Sequence, residues 1–255
     1  PNDIFSANFS MSVKAPGGTV VGTGPNYLAG AAAIYISPDT WHFFVGTPQT
    51  PVGLNILGLI NGGFYFMVGK DLPPPLPPPS PIPLPPGYMD RAPLDDASGL
   101  AFGSRTSFEN DFKFLLLRMH LQAQFGFDLA FTSATGMACV GYDPTGIHGW
   151  YASGQVYAQL TGKVSLMVDI LVASGEYEIF SVGASAVLGG GFARPSYMEG
   201  AVDGYYSILG GAVEGNFFFP FEVGEGCIDP GDGILSDLDP IGDLVPHNDQ
   251  GMNAA

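Results

Sequence analysis

The sequence predicts an all-β protein: a large, mostly antiparallel curved sheet or β-sandwich with long strands and little or no helix. Apolar and polar residues alternate over two unusually long runs, and turn residues separate these runs. No stretch of ten or more residues shows the stripe of an amphipathic helix. The 37 glycines, 19 phenylalanines and 11 tyrosines suit a sheet with short turns and extensive covered faces, because disordered chains are poor in aromatic residues.

The first long run covers residues 115–131, where every odd position is apolar. The even positions include Arg118, His120 and Asp128. Because successive strand residues point to opposite faces, this run forms a ribbon with one apolar and one polar face. Gly126 is a natural place for a bulge or bend that divides so long a strand.

The second long run covers residues 155–170, with its apolar residues at even positions. A turn signal at 143–146 lies between the runs, so we predict that they form an antiparallel pair. We expect a core drawn from the odd face of 115–131 and the even face of 156–170, in which Phe125→Asp abolishes folding. Shorter strand candidates are 5–13, 28–36, 41–45, 64–68, 177–188, 201–208 and 217–223.

A proline-rich stretch interrupts the strand pattern, with ten prolines in the fourteen residues 73–86. Proline fixes its own φ and donates no backbone hydrogen bond, so this stretch is predicted to be polyproline II. We favour a stiff connection that crosses the surface or the end of a sheet over a ligand for an aromatic-lined groove. The predicted organisation is an N-terminal β section at 1–72, the connection at 73–98, the main β section at 99–227 and an acidic tail or linker at 228–255.

The charge balance limits the partners of the protein. Asp and Glu number 24 against 8 Lys and Arg, for a formal net charge of −16. No basic cluster is present, which argues against nucleic acid and against anionic lipid surfaces. No apolar run of about 18 residues predicts a transmembrane helix. Since the chain begins at Pro1 in mid-pattern, we expect it to be an excerpt from, or a processed form of, a longer protein.

The sequence contains none of the common catalytic motifs, and we predict that the protein is not an enzyme and has no cofactor other than a possible calcium ion. The candidate calcium ligands are Asp229, Asp232, Asp237 and Asp239, because an Asp-rich loop with a turn glycine supplies the oxygen ligands that calcium takes. The spacing is not that of an EF-hand, and the alternative is a solvated acidic linker.

Two further groups of residues are candidate sites. Cys139 and Cys227 are the two cysteines, and we favour a disulfide between them over two free thiols. Five aromatic residues offer a stacking surface for a surface glycan, although residues of this type more often fill a core or cover a sheet. They are Trp41, Phe43, Tyr65, Trp150 and Tyr151.

Several phrases of the sequence are distinctive in their order. They are Trp41-His-Phe-Phe-Val-Gly-Thr-Pro48, Tyr65-Phe-Met-Val-Gly69, Gly99-Leu-Ala-Phe-Gly103, Gly149-Trp-Tyr-Ala-Ser-Gly-Gln-Val-Tyr-Ala158, Tyr206-Ser-Ile-Leu-Gly-Gly-Ala-Val-Glu-Gly215 and Phe221-Glu-Val-Gly-Glu-Gly-Cys227. Over roughly residues 25 to 227 the chain resembles a β-rich region of very long surface or secreted proteins of Bacteroidetes-type bacteria. The resemblance implies an extracellular or cell-surface location and brings no assigned activity and no catalytic or binding residues.

These observations favour a non-enzymatic structural or adhesive segment of a large extracellular or cell-surface protein, whose partners are itself or neighbouring domains of a longer chain. One alternative is a self-assembling subunit of an extracellular filament or sheath, joined by strand addition at the weakly guarded segments 217–221 and 29–36. Another is an outer-membrane β-barrel, because strands of period two with one polar face match that pattern. A secreted carbohydrate-binding protein is the remaining alternative.

Overall fold

A computed structural model of the chain describes residues 4–11, 13–14, 20–22, 30–85, 88, 98–133, 141–142, 145–170, 173–192 and 194–224. These residues form thirteen strands and no helix, which confirms the predicted all-β class. The strands are β1 (Phe5–Met11), β2 (Val13–Lys14), β3 (Val20–Gly22), β4 (Gly30–Ile36), β5 (Trp41–Val45), β6 (Val52–Ile56), β7 (Ile60–Lys70), β8 (Ser98–Phe114), β9 (Leu117–Ser133), β10 (Trp150–Ile170), β11 (Ala173–Phe192), β12 (Tyr197–Ile208) and β13 (Val213–Gly224).

All thirteen strands belong to one sheet. Its main path runs in the order β1-β4-β5-β7-β8-β9-β10-β11-β12-β13, and β2, β3 and β6 form a short branch beside β7. Every pairing in the sheet is antiparallel. Within the described residues no pairing joins β1 to β13, so the sheet is open. Strand β7 pairs with β8 along its whole length, so the segments on either side of the proline-rich stretch share this sheet.

The predicted pair of long ribbons is present as β9 and β10, which pair antiparallel from Leu117↔Leu166 to Ser133↔Trp150. The prediction of a break at Gly126 is wrong, because β9 continues through that residue without a register shift. The shift lies instead between Val164 and Ser165, where β10 pairs with β11.

Strand β8 was not predicted, although it is 17 residues long. The residues of one of its faces include Ser104, Thr106 and Asn110 among the apolar ones, so its alternation is weaker than that of β9. Polar residues of this kind break the contrast between odd and even positions without breaking the strand itself.

Glycine and aromatic residues face each other across neighbouring strands, which explains why the sequence is rich in both. A Cβ atom placed on Gly126 would lie 2.6 Å from Cε1 of Tyr157, its direct partner on β10. A Cβ on Gly103 would lie 2.6 Å from Cε1 of Tyr65, its direct partner on β7. The aromatic ring therefore fills the space that a larger partner would occupy and covers the glycine backbone. The same arrangement recurs at Gly183↔Tyr205, Gly204↔Phe217, Gly200↔Phe221 and Gly215↔Tyr206.

The predicted core is wrong, because the sheet covers the opposite face of its long strands. Phe125, Leu129 and Phe131 belong to the odd face of β9 and are exposed to 48%, 39% and 40%. On the even face of β10, Leu160 is exposed to 52%. The covered face instead carries polar residues such as Asp128, which is 2% exposed. The predicted alternation is therefore correct, but the prediction that its apolar side faces the interior is wrong.

Candidate functional site

The segment at residues 72–85 follows β7 and lies against one face of the sheet, which we call the inner face. The backbone carbonyl oxygen of Leu76 accepts hydrogen bonds from a guanidinium nitrogen of Arg105 at 2.6 Å and from Nε2 of Gln155 at 2.8 Å. Arg105 lies on β8 and Gln155 on β10, so the segment spans several strands. We call residues 72–85 the proline tract; they cover the polar face of the sheet rather than its outer surface or its end.

A buried carboxylate holds the residues that anchor the proline tract. Oδ1 of Asp128 accepts a hydrogen bond from the Tyr65 hydroxyl at 2.6 Å, and Oδ2 accepts one from Nε2 of Gln155 at 2.8 Å. A guanidinium nitrogen of Arg105 lies 3.8 Å from Oδ2 of Asp128. Arg105 therefore balances the charge of Asp128 while it binds the Leu76 carbonyl, so the tract and the carboxylate share one polar network.

Apolar contacts hold the second half of the tract. Ile82 of the tract and Tyr88, which lies just beyond it, pack with Tyr157, Val187 and Ala201 in one cluster of buried residues that extends from β10 to β12. The tract thus contacts the inner face through a backbone carbonyl at Leu76 and through side chains further along. These contacts are those of a fixed internal segment, since Ile82 and Tyr88 are each only 6% exposed.

A second polar cluster lies towards the β8–β9 turn, on the same inner face. The Arg118 guanidinium makes ion pairs of 3.1 Å with Asp111 and with Glu176. Nδ1 of His120 lies 3.1 Å from Oδ1 of Asp111. These side chains are partly exposed, so the cluster is solvated and links β8, β9 and β11 with little net stabilisation.

The opposite face, which we call the outer face, carries no charge on its longest strands. From β8 to β13, each charged residue with a described side chain alternates onto the inner face, as the strand pairings show. The outer positions of these strands are mostly Leu, Val, Ile, Phe, Ala and Gly. Large exposed side chains on this face include Phe64, Phe125, Leu129, Phe131, Leu160, Val182, Val202, Phe217 and Phe219.

The two ends of this apolar surface differ in residue type. At one end, the turns that join β6 to β7, β8 to β9 and β12 to β13 carry the exposed leucines Leu57, Leu115 and Leu209. At the other end, β5 begins at Trp41 and β10 begins at Trp150, and these are the two tryptophans of the chain. Both tryptophans lie on the outer face, 44% and 51% exposed.

The predicted site residues fall into two groups, one outside the described residues and one within them. Asp229, Asp232, Asp237 and Asp239, together with Cys139 and Cys227, lie outside the described residues, so the calcium site and the disulfide stay predictions. Of the five aromatic residues proposed for glycan stacking, Tyr65 and Tyr151 are buried on the inner face, while Trp41, Phe43 and Trp150 belong to the outer face. These five residues therefore form no single binding surface. The Asp128 network was missed because its members lie far apart in the sequence.

Within the part of the chain that the structure describes, no group of three or more His, Cys, Asp or Glu side chains is placed to hold a metal ion. The same residues contain no helix that is long and apolar enough to cross a membrane. Compared with known proteins, the chain matches no family model, no curated protein and no solved structure. The resemblance to long bacterial surface proteins stays a prediction.

Proposed function

We propose that the sheet is embedded in a lipid bilayer, with its outer face against the acyl chains and its inner face turned away from lipid, as in an outer-membrane β-barrel. The observation that carries this proposal is the separation of charge. Every charged residue with a described side chain in β8–β13 lies on the inner face, and the outer face of these strands carries none. A membrane-spanning sheet needs this separation, because a charge at the centre of a bilayer costs several kcal/mol.

An apolar face of this extent is unusual for a protein in water. Soluble monomers seldom expose a contiguous apolar patch larger than a few hundred Å². Phe125 and Phe131 on β9, Leu160 on β10 and Phe219 on β13 all belong to this face, and each is exposed to at least 40%. Lipid is the partner that contacts such a face without needing shape complementarity.

The dimensions of the outer face fit a bilayer. The apolar positions of β9 run from Leu117 to Phe131, which is roughly 48 Å along the strand at about 3.4 Å per residue. With the tilt of about 45° that is typical of such strands, this length covers roughly 34 Å of depth, close to the hydrocarbon thickness of about 30 Å. Trp41 and Trp150 at one end of the face suit an interfacial aromatic belt.

The polar inner face and the proline tract fit this proposal because side chains of the inner face hydrogen-bond to the tract and pack against it. In a membrane sheet, polar side chains contact water or other protein groups. Here Arg105 and Gln155 donate to the Leu76 carbonyl, and Ile82 and Tyr88 cover Tyr157. The tract is thus an internal segment on the side away from lipid. The proposed function of the protein is that of a structural membrane segment at the cell surface.

Flotation with lipid vesicles tests this proposal. The full chain is refolded in the presence of phosphatidylcholine vesicles and centrifuged in a sucrose gradient after a high-salt, alkaline wash. Co-flotation that resists the wash is the expected result. A protein that stays at the bottom of the gradient as a folded, detergent-free species would contradict the proposal and favour the adhesive segment or the filament subunit instead.

A further inference from the structure

We propose that β13 is an assembly edge that takes β1 of a second copy of this chain. Within the described residues, β13 pairs only with β12, and β1 pairs only with β4, so these two strands end the main path of the sheet. An unpaired strand edge is a template for further pairing in water, and it is not tolerated against lipid.

The directions of the two strands allow this pairing. The main path contains ten strands, and each runs antiparallel to its neighbours. Strands β1 and β13 therefore run in opposite directions. When a second copy lies beside the first with the same side facing outwards, its β1 meets β13 in antiparallel orientation. The sheet continues across the contact without any reversal of its two faces.

The side-chain patterns of the two edges match. On β1, Phe5 pairs with Ile36 and Ser6 with Tyr35, so Phe5, Ala7 and Phe9 belong to the outer face, whereas Ser6 and Asn8 belong to the inner face. On β13, the outer positions include Val213, Phe217 and Phe219, and the inner ones include Glu214 and Asn216. On the outer face apolar residues thus meet apolar residues, whereas on the inner face Asn8 meets Asn216 and Ser6 meets Phe218.

Pro220 limits the length of the edge. Proline has no backbone N–H, so within sheets it belongs to edge strands, and it interrupts a ladder on its unpaired side. The uninterrupted part of β13 that precedes it, residues 213–219, is as long as the seven residues of β1. The register that aligns these two stretches end to end places Phe5 opposite Phe219 and Asn8 opposite Asn216.

A second copy fits better than closure of one chain on itself. The two edges lie at opposite ends of the main path, and the described part of the sheet is open between them. A contact between unlike edges is heterologous, so it builds a ring or an open array of copies rather than a two-fold dimer. The proposed pairing is inferred from the two strand edges and does not require the proposed membrane location, which supplies a second, separate reason for it.

Disulfide trapping tests the register directly. In the full chain with both native cysteines replaced by serine, N8C and N216C are prepared as separate variants, one of them carrying a mass tag, and are mixed under mild oxidation. The expected result is a disulfide-linked heterodimer at least tenfold more abundant than that from N8C mixed with E222C. Glu222 lies on the same face of β13 but about 20 Å further along the strand.

The double variant N8C/N216C separates the two possible occupants. A ladder of cross-linked multimers supports pairing between copies. An internal cross-link at monomer mass, or an N8C–N216C heterodimer no more abundant than the N8C–E222C control, would overturn the proposal. The mixture is tested both on vesicles and without detergent: cross-linking in solution by a chain that does not float would leave the pairing standing while the membrane proposal fails.

Discussion

The ring of Tyr157 lies over Gly126, its direct partner on the neighbouring strand, and the Arg105 guanidinium lies 5.9 Å from the centre of that ring. One glycine therefore makes room for an aromatic residue that in turn contacts an anchor of the proline tract. Tyr157 also belongs to the buried cluster with Ile82 and Tyr88. This contact explains, for the inner face, why the sequence combines glycine with aromatic residues.

Gly126→Ala is expected to destabilise the protein by about 1–3 kcal/mol, because the added methyl group forces the Tyr157 ring out of its place. Gly162→Ala is the matched control on β10, where the nearest atom to an added Cβ lies 3.8 Å away. The midpoints of urea unfolding measure both effects. Equal midpoints for the two variants would show that Tyr157 does not depend on the glycine.

Asp128→Ala is expected to lower the free energy of unfolding by about 3 kcal/mol, since it leaves the charge of Arg105 without its buried partner. Tyr65→Phe removes one hydrogen bond of the same network and is expected to cost about 1 kcal/mol. Glu109→Gln is the control, because the Glu109 side chain is 65% exposed. An Asp128→Ala variant as stable as this control would mean that the network does not hold the inner face.

Loss of the Arg105 and Gln155 side chains is expected to release the proline tract. Pro78 is buried in the tract, so a P78C variant in a background without native cysteines should react slowly with a maleimide. Adding R105A and Q155A should raise the labelling rate at least tenfold, because the Leu76 carbonyl loses both donors. Adding E109Q instead should leave the rate unchanged. A slow rate in the triple variant would show that Ile82 and Tyr88 hold the tract without the polar contacts.

Phe125→Arg and Gln124→Arg differ by one position along β9 and by the face that receives the charge. At the outer position Phe125, arginine is expected to reduce vesicle insertion by about 2–4 kcal/mol, whereas at the inner position Gln124 it is expected to have little effect. Flotation yields compared with those of the unchanged chain measure the difference. Equal insertion of both variants would show that the outer face does not contact lipid.

The sequence predicted the strands better than it predicted their surroundings. The alternation at 115–131 indicated β9 and its partner β10, because a period of two is a property of the backbone itself. It did not indicate which face is covered, since that depends on the medium on each side: the same ribbon turns its apolar face inwards in water and outwards in lipid. The expectation that Phe125 lies in a core assumed that the apolar face is the covered one, whereas Phe125 is 48% exposed.

The position of the proline tract was beyond sequence reasoning for a different reason. Its main polar contact is made by the backbone carbonyl of Leu76, a group that every residue carries and that therefore leaves no pattern in the sequence.

Strand edges were predicted in part. The segment 217–221 does lie in the terminal strand β13, but β4 (Gly30–Ile36), which covers most of 29–36, lies between β1 and β5 and is not an edge.

Quenching of tryptophan fluorescence by lipids brominated along their acyl chains is the most direct test of the membrane location. Trp41 and Trp150 are the only two tryptophans in the sequence, and both lie on the outer face. The single-tryptophan variants Trp41→Phe and Trp150→Phe report on each position separately. We expect brominated vesicles to quench both tryptophans more than unbrominated vesicles do. We also expect aqueous acrylamide to quench them less in the folded, vesicle-bound protein than in the unfolded chain. Emission unchanged by the brominated lipid in a folded, vesicle-treated protein would contradict the proposed membrane location.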